Sequence, residues 1–361
     1  MSDVVRAALV TIVEGRTLTL DDARLAMGAV MDGEATAAQL AAMLMGLRMR
    51  GETVDELAGF ATAMRERSFH VEAPPGAMDI VGTGGDGSGT FNISTAAALV
   101  VAASGIPVAK HGNRAITSRA GSADVLDALG VRVDHDAASA AIALREEGFA
   151  YLFAPRFHPA MRHAGPTRQE IGVRTAFNLL GPLTNPAGTR RQLLGVGDAS
   201  AATRFAEVVH RLGTERTIVV HGERVDELPL DGTGILYDIT EAGIERRTVD
   251  AAALGLGRAR TTQLAGGDAA ANARLVEAVL RSEPGARRDV VLLNAGAALL
   301  AGGAVETLED GIERAALTID AGLALERLEM LRAERRRAEA EARVAAAEAA
   351  AEAAAADGAP A

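Results

Sequence analysis

Between Asp79 and Thr95 the sequence reads DIVGTGGDGSGTFNIST. Gly82, Gly84, Gly85, Gly87 and Gly89 strip side chains from a segment that follows an apolar strand end and precedes a helix. Such glycines admit positive φ and aim successive backbone N–H groups at one point. The helix behind them adds the positive end of its dipole. Hydroxyls at Thr83, Ser88, Thr90, Ser94 and Thr95, with the Asn92 amide, supply further donors. The chemistry is anion binding. No Gly-Lys-Ser/Thr follows, so it is not a Walker loop. Gly82-x-Gly84-x-x-Gly87 fits a dinucleotide fingerprint by letter, but Asp86 would place a negative charge beside the pyrophosphate. An acid there suits a ribose hydroxyl or the water shell of Mg2+, which points to a metal-bound sugar phosphate.

Three more clusters could carry chemistry. VAKHGNRAITSRAGSADVL, Val108 to Leu126, brings Lys110, His111, Asn113, Arg114, Ser118 and Arg119 together just after an apolar run and ahead of Gly121 and Ser122. Ligands sit at strand ends in open α/β sheets, and this cluster suits an anion; the plainer alternative is a solvated loop. In HAGPTRQEIGVRTAFNLLGPLTNP, Arg168 can fork a carboxylate or pair with Glu170 or a helix end. In VVHGERVDELPLDG, the adjacent Asp226 and Glu227 can hold Mg2+ through water or form an exposed acidic loop. The histidines lack zinc-site spacing, and no G-x-S-x-G nucleophile elbow is present.

These residues need elements to position them. Thr19…Asp22, Thr36…Gln39 and Thr53…Glu56 read as capping boxes opening successive helices, with Asp weaker at the third box position than Glu or Gln. The stripe Leu40, Met43, Leu44, Leu47 has helical spacing, and its methionine reads as core filler. From about residue 78, apolar runs (MDIV, PVAK, YLFA, QLLGVG, TIVVHG) alternate with helical stretches at Thr95–Ser104, Ser122–Leu129, Ala137–Glu147 and Ala201–Leu212. That rhythm predicts an α/β domain with a mostly parallel sheet flanked by helices. After Arg332 the chain turns to Ala, Glu and Arg, strong helix formers without an apolar face. This predicts a solvent-exposed helical extension, 332–361, that frays toward its end, with an Ala-seamed coiled coil as the alternative.

Composition narrows the function. The 361 residues exceed one small core. A net charge of −11 and 3% aromatics argue against nucleic-acid binding. No cysteine is present, which excludes disulfides and thiolate chemistry and fits the cytoplasm. No apolar run spans a bilayer and the N-terminal segment lacks a signal pattern.

GTGGDGSGTFNIST, KHGNR, RAGSADVL, HAGPTRQEIGVRTAFNLLGPLTNP and the Asp-Glu pair after VVHG together resemble the anthranilate phosphoribosyltransferases of tryptophan biosynthesis, in order over residues 5–330. The pyrimidine nucleoside phosphorylases share that fold and a glycine loop, but their K-x-S-G-R-G motif is not matched by KHGNRAIT. Ala115-Ile116-Thr117 stands where the family pattern has Ser-Val-Ser, and Arg119-Ala120 where it has Lys-Ser. The resemblance implies a small helical domain, residues 1–66 joined by helices within 168–190, beside a larger α/β domain, 67–331, and a homodimer formed through the helical part. It implies that phosphoribosyl pyrophosphate (PRPP) is held by Gly82, Gly85, Asp86, Thr90, Asn92, Ile93, Ser94 and Thr95. From the second loop it adds Lys110, His111, Gly112, Asn113, Arg114, Thr117, Ser118 and Ser122. Anthranilate falls to Gly82, Asn113 and Arg168, and Mg2+ to Ser94, Asp226 and Glu227. His111 is the one candidate for a general base, and its role is equally well binding alone.

Overall fold

The computed structural model describes residues 2–115, 119–223 and 225–357, with side chains to residue 350. Four helices come first: α1 (Asp3–Val13), α2 (Leu20–Met31), α3 (Ala37–Arg50) and α4 (Val54–Glu66). Two of the three expected boxes are complete. Thr36 and Thr53 each accept the amide of the residue three ahead, and Gln39 and Glu56 reach back to the cap amides. At Thr19 only half forms. Its hydroxyl accepts the Asp22 amide and donates to Asp22 Oδ2 at 2.7 Å, because aspartate is one methylene too short to reach back. Leu40, Met43, Leu44 and Leu47 are buried together with Val5, Ala8 and Ile12 of α1.

The rest is built on one sheet in the order β3-β2-β1-β4-β5-β6-β7. In chain order β1 is Met78–Gly82, followed by α5 (Ile93–Ala103), β2 (Val108–Gly112), α6 (Ser122–Ala128), α7 (Ala137–Glu146) and β3 (Phe149–Phe153). Three short helices follow, α8 (Ala154–Phe157), α9 (Gly165–Ile171) and α10 (Phe177–Leu180), before β4 (Arg191–Gly195), α11 (Ala199–Arg211) and β5 (Arg216–His221). β1 to β5 pair in parallel, as the βαβ rhythm predicts. An antiparallel hairpin, β6 (Gly234–Thr240) and β7 (Gly243–Val249), closes one side. The sequence reading missed this hairpin. β7 carries Glu245, Arg246 and Arg247 on an exposed edge, where charge blunts strand addition but erases the apolar signature of a strand.

α9 and α10 pack on α3 and α4, and Ala164, Ala176, Phe177 and Leu180 share one apolar core with the first four helices. α12 (Ala269–Leu280), α13 (Ala286–Ala301) and α14 (Leu308–Asp320) complete a second core around α5, which is apolar from Ala96 onward. Beyond Leu331, side-chain ion pairs hold the described part of the last helix, α15 (Leu323–Asp357). Arg332 meets Glu277, Arg335 meets Asp127 at 2.8 Å, and Arg337 meets Glu147 at 2.6 Å. Among the described residues no helix is long and apolar enough to cross a membrane.

The chain runs from β1 to β2 on one side and returns to β4 on the other. This reversal opens a crevice at the carboxyl ends of β1 and β4, the place where such sheets bind ligands. β1, β2 and β4 each end in glycine: Gly82, Gly112 and Gly195.

Candidate active site

The loop after β1 has the backbone its sequence implied. Gly84, Gly85, Gly87 and Gly89 all have φ between +61° and +72°, a region that side chains avoid. Asp86 organises the loop from within. Its Oδ1 accepts the Ser88 amide and hydroxyl, each at 2.9 Å, and its Oδ2 accepts the Asp226 amide at 3.2 Å. Asp226 in turn accepts the Gly84 amide at 2.8 Å. Thus the two acidic segments of the sequence meet, although 140 residues separate them. The close approach depends on missing side chains. A Cβ on Gly82 would lie 2.4 Å from Asp226 Oδ2, and one on Gly195 would lie 1.6 Å from the Asp226 carbonyl oxygen.

Asp86, Asp226 and Glu227 each bring a carboxylate oxygen within 4.8 Å of the others. Burial and then the Asp86 charge push the Asp226 carboxyl up, and burial and then Asp226 push Glu227 well above the ordinary glutamate range. Glu227 Oε2 is buried with no hydrogen-bond partner. Like charges crowded around an unmatched acceptor are what a divalent cation relieves. Asn294 of α13 supports the following residue, accepting the Leu228 amide at 2.9 Å and donating to its carbonyl at 3.0 Å.

Beneath the loop lies a buried polar layer. Lys110 is 2% exposed, and its Nζ donates to the Ile80 carbonyl. Burial lowers it to about 8, against the pull of Asp79, Glu227 and Asp226. Asp79, wholly buried, is raised to about 6 by desolvation and accepts the His111 amide at 3.1 Å. His111 is buried with its ring 5.2 Å from that of His158, and burial, then His158, depresses it to about 3. Lys110 and His111 are thus both buried, as a floor beneath the loop.

The other expected residues fall into groups. Asn92, at the start of α5, bonds to Asn272 at 2.8 Å, while Ser94 is half-buried and Thr95 fully buried with its hydroxyl unpartnered. Ile93 is core, and its amide is already used by the Phe91 carbonyl at 2.8 Å. Thr90 contacts the Ser88 hydroxyl at 3.3 Å. Gly112 makes room for Ser122 and Tyr151, whose hydroxyls meet at 2.8 Å. Asn113 is exposed, and Arg114 is held by Asp124 at 2.8 Å and Asp127 at 3.6 Å. Thr117 and Ser118 lie outside the described residues.

Arg168, on α9, settles the question of Glu170: no ion pair joins them, and Arg168 has no carboxylate partner among the described residues. Its guanidinium lies 4.8 Å from the Phe177 ring centroid, and burial alone depresses its pKa. Gly82 ends β1, Asn113 follows β2 and Arg168 lies on α9.

Two clefts share the glycine loop. One, of about 470 Å3, lies toward the helices and is lined by Thr83 to Asp86 with Arg174, Asn178 and Arg204. The other, of about 320 Å3, is lined by Gly87, Gly89, Thr90, Arg119, Gly267 and Asn272. Arg174, which donates to the Gly85 carbonyl at 3.1 Å, and Asn272 were not singled out from sequence. Asn272 stands in GGDAAANA, where a glycine pair before a capped helix could have drawn notice.

Comparison with known proteins agrees with this arrangement. Residues 6–68 match the helical bundle domain, and residues 74–325 the a/b domain, of a glycosyl transferase family. The chain is 50% identical over 336 residues to an anthranilate phosphoribosyltransferase of Thermomicrobium roseum, covering 91% of this chain and 96% of that one. It is 48% identical over 327 residues to another from Azorhizobium caulinodans, covering 90% and 95%. Among solved structures, the Thermus thermophilus anthranilate phosphoribosyltransferase superposes with a TM-score of 0.87 at 44% identity, covering 93% of this chain and all of the other. The Saccharomyces cerevisiae enzyme in complex with PRPP and Mg gives 0.85 at 25% identity, covering 93% and 99%.

Proposed function

The chain belongs to the anthranilate phosphoribosyltransferase family, and from that premise we propose how its residues divide the work. The reaction transfers the phosphoribosyl group of PRPP to the amine of anthranilate, in L-tryptophan biosynthesis. A C1–N bond forms, the C1–O bond to pyrophosphate breaks, and the amine gives up a proton. The observation that carries our residue assignment is the contact of Asp86 with Asp226 across the positive-φ glycine loop.

In this reading the amides of the glycine loop and the start of α5 hold the phosphates, with Thr90, Asn92, Ser94 and Thr95 lending polar groups. Asp86 orients the loop. Asp226 and Glu227 with Asp86 would hold Mg2+, and Ser94 joins them on the family pattern; the unpartnered Glu227 Oε2 and the carboxylate crowding fit that ion. When bound, it offsets the negative charge that builds on departing pyrophosphate. Backbone donors placed before the reaction begins do the same at no reorganisation cost. Lys110, buried under β1, adds fixed positive potential from the floor.

Arg168 pairs the anthranilate carboxylate, its planar group matched to two oxygens and held flat by Phe177. Anthranilate's neutral amine needs alignment more than activation. We assign no general base: His111, buried and neutral, shapes the floor, and the proton leaves after the C–N bond forms.

We further read residues 1–66 with 168–190 as one helical unit, 67–331 as the α/β unit and 332–361 as an extension. Val10, Val13 and Met49, exposed by 51%, 81% and 85%, support a homodimer through the helical unit. A cytoplasmic location follows the soluble substrates. Phosphorolysis of thymidine and uridine is the discriminating assay. No ribose or deoxyribose phosphate forms on our reading, and its formation without anthranilate turnover would make the chain a nucleoside phosphorylase.

A further inference from the structure

Asn92 occupies the N-cap position of α5, yet its side chain makes no bond to its own helix. That is unusual, because asparagine is among the best N-cap residues and the first amides of a helix have no carbonyl behind them. The reason lies 180 residues away. Asn272, on α12 and 3% exposed, donates its Nδ2 to Asn92 Oδ1 at 2.8 Å. Its own Oδ1 is fixed by the Gly267 amide at 2.6 Å. The segment carrying Gly267 is itself tied to the glycine loop: the Gly266 amide donates to the Gly89 carbonyl, and the Phe91 amide to the Leu264 carbonyl, each at 2.9 Å. A Cβ on Gly266 would meet Asn272 Oδ1 at 2.6 Å, so this contact also depends on a glycine.

The orientation of the Asn272 amide is thus dictated by a backbone donor. Asn272 can only give, and Asn92 can only receive, along the bond between them. Two consequences follow. The Asn92 oxygen is withdrawn from the Ser94 and Thr95 amides, which stay available at the helix end. The Asn92 Nδ2, 3.4 Å from the Ala120 carbonyl, is left as the donor on the loop side.

We propose that Asn272 is a positioning residue of the phosphoribosyl site: by claiming the Asn92 oxygen it prevents Asn92 from capping its own helix, and so keeps the start of α5 open to phosphate. This rests on the reading above that α5 begins at the PRPP site. Asn272 acts through Asn92 rather than by touching the substrate.

Asn272→Asp separates the roles, because the carboxylate still accepts the Gly267 amide but cannot donate to Asn92. We expect the KM for PRPP to rise about tenfold or more, with the KM for anthranilate and kcat nearly unchanged when assayed well below a thermal midpoint that the buried carboxylate lowers. The decisive measurement is a double-variant cycle with Asn92→Ala. If Asn272 works through Asn92, Asn272→Asp adds nothing further to the KM for PRPP in that background. A KM within twofold of the parent for the single variant overturns the inference. So does an undiminished effect in the Asn92→Ala background, which would mean that the new charge acts on the substrate directly. Asn272→Ala, run alongside, supplies the same cycle without an added charge if the aspartate variant fails to fold. A parent protein that turns over no PRPP with anthranilate refutes the functional reading instead, and is recognised before any variant is made.

Discussion

Glu227→Gln perturbs the carboxylate cluster with least change of shape. Oxygens of Asp86, Asp226 and Glu227 lie within 4.8 Å of one another. Two full charges at that separation, in a medium of effective dielectric about 20, repel by about 3.5 kcal/mol. Without a cation the protein escapes this cost by keeping a proton on Glu227, whose folded-state pKa lies well above the ordinary 4.5. A raised carboxyl pKa stabilises the fold fully at low pH and loses that contribution as pH climbs through the folded value. The cation-free parent should therefore lose stability as pH rises above the ordinary glutamate range and through the raised folded value. Glu227→Gln should show a flatter profile, and Mg2+ should restore the parent at high pH. In turnover at fixed PRPP, the variant should need at least about tenfold more Mg2+, since one lost charge–ion contact is worth 1.4 kcal/mol or more. Thermal unfolding with and without Mg2+, together with the Mg2+ dependence of turnover, reads both effects. A variant whose pH profile and Mg2+ requirement match the parent refutes the cluster as a cation site.

Arg168→Ala should raise the KM for anthranilate by roughly ten- to a hundredfold, the worth of a charge-assisted bond, with little change in the KM for PRPP; equal effects on both would remove it from the anthranilate site. Gly195→Ala should displace Asp226, whose carbonyl oxygen would stand 1.6 Å from the new Cβ, and abolish turnover in protein that still folds; retained activity would show that the strand end can yield. His135, buried and depressed from 6.5 to about 4, should make the protein acid-sensitive, its contribution present above pH 6.5 and lost as pH falls toward 4. Urea unfolding of His135→Gln should show that acid limb reduced by up to about 3 kcal/mol, and an unchanged limb would mean the imidazole is not what titrates.

Local signals carried far in this chain. The glycines at residues 82–89 needed no partner to announce positive φ, and the threonine caps predicted helix starts within a few residues. The parallel strands were legible because strands buried on both faces are continuously apolar. What was not legible depends on distance. Nothing near Asp86 says that it bonds the Asp226 amide, and nothing near Asn92 says that Asn272 claims its oxygen. The polarity of KHGNR suggested a ligand shell, but polarity alone cannot separate a lining from a floor. Lys110 and His111 turned inward under β1, and Arg114 went to Asp124 and Asp127. Conversely, Arg168 could have been paired locally and was not, a distinction set by helix α9 packing on α3 and by Phe177.

The central claim is that this crevice joins an aromatic amine to a phosphoribosyl group. It is tested most directly by following the fluorescence of anthranilate with purified protein, PRPP and Mg2+, and by omitting each component in turn. Loss of anthranilate fluorescence that requires all three, with release of one pyrophosphate per anthranilate consumed, is the predicted result. Persistence of anthranilate with every component present would contradict the account.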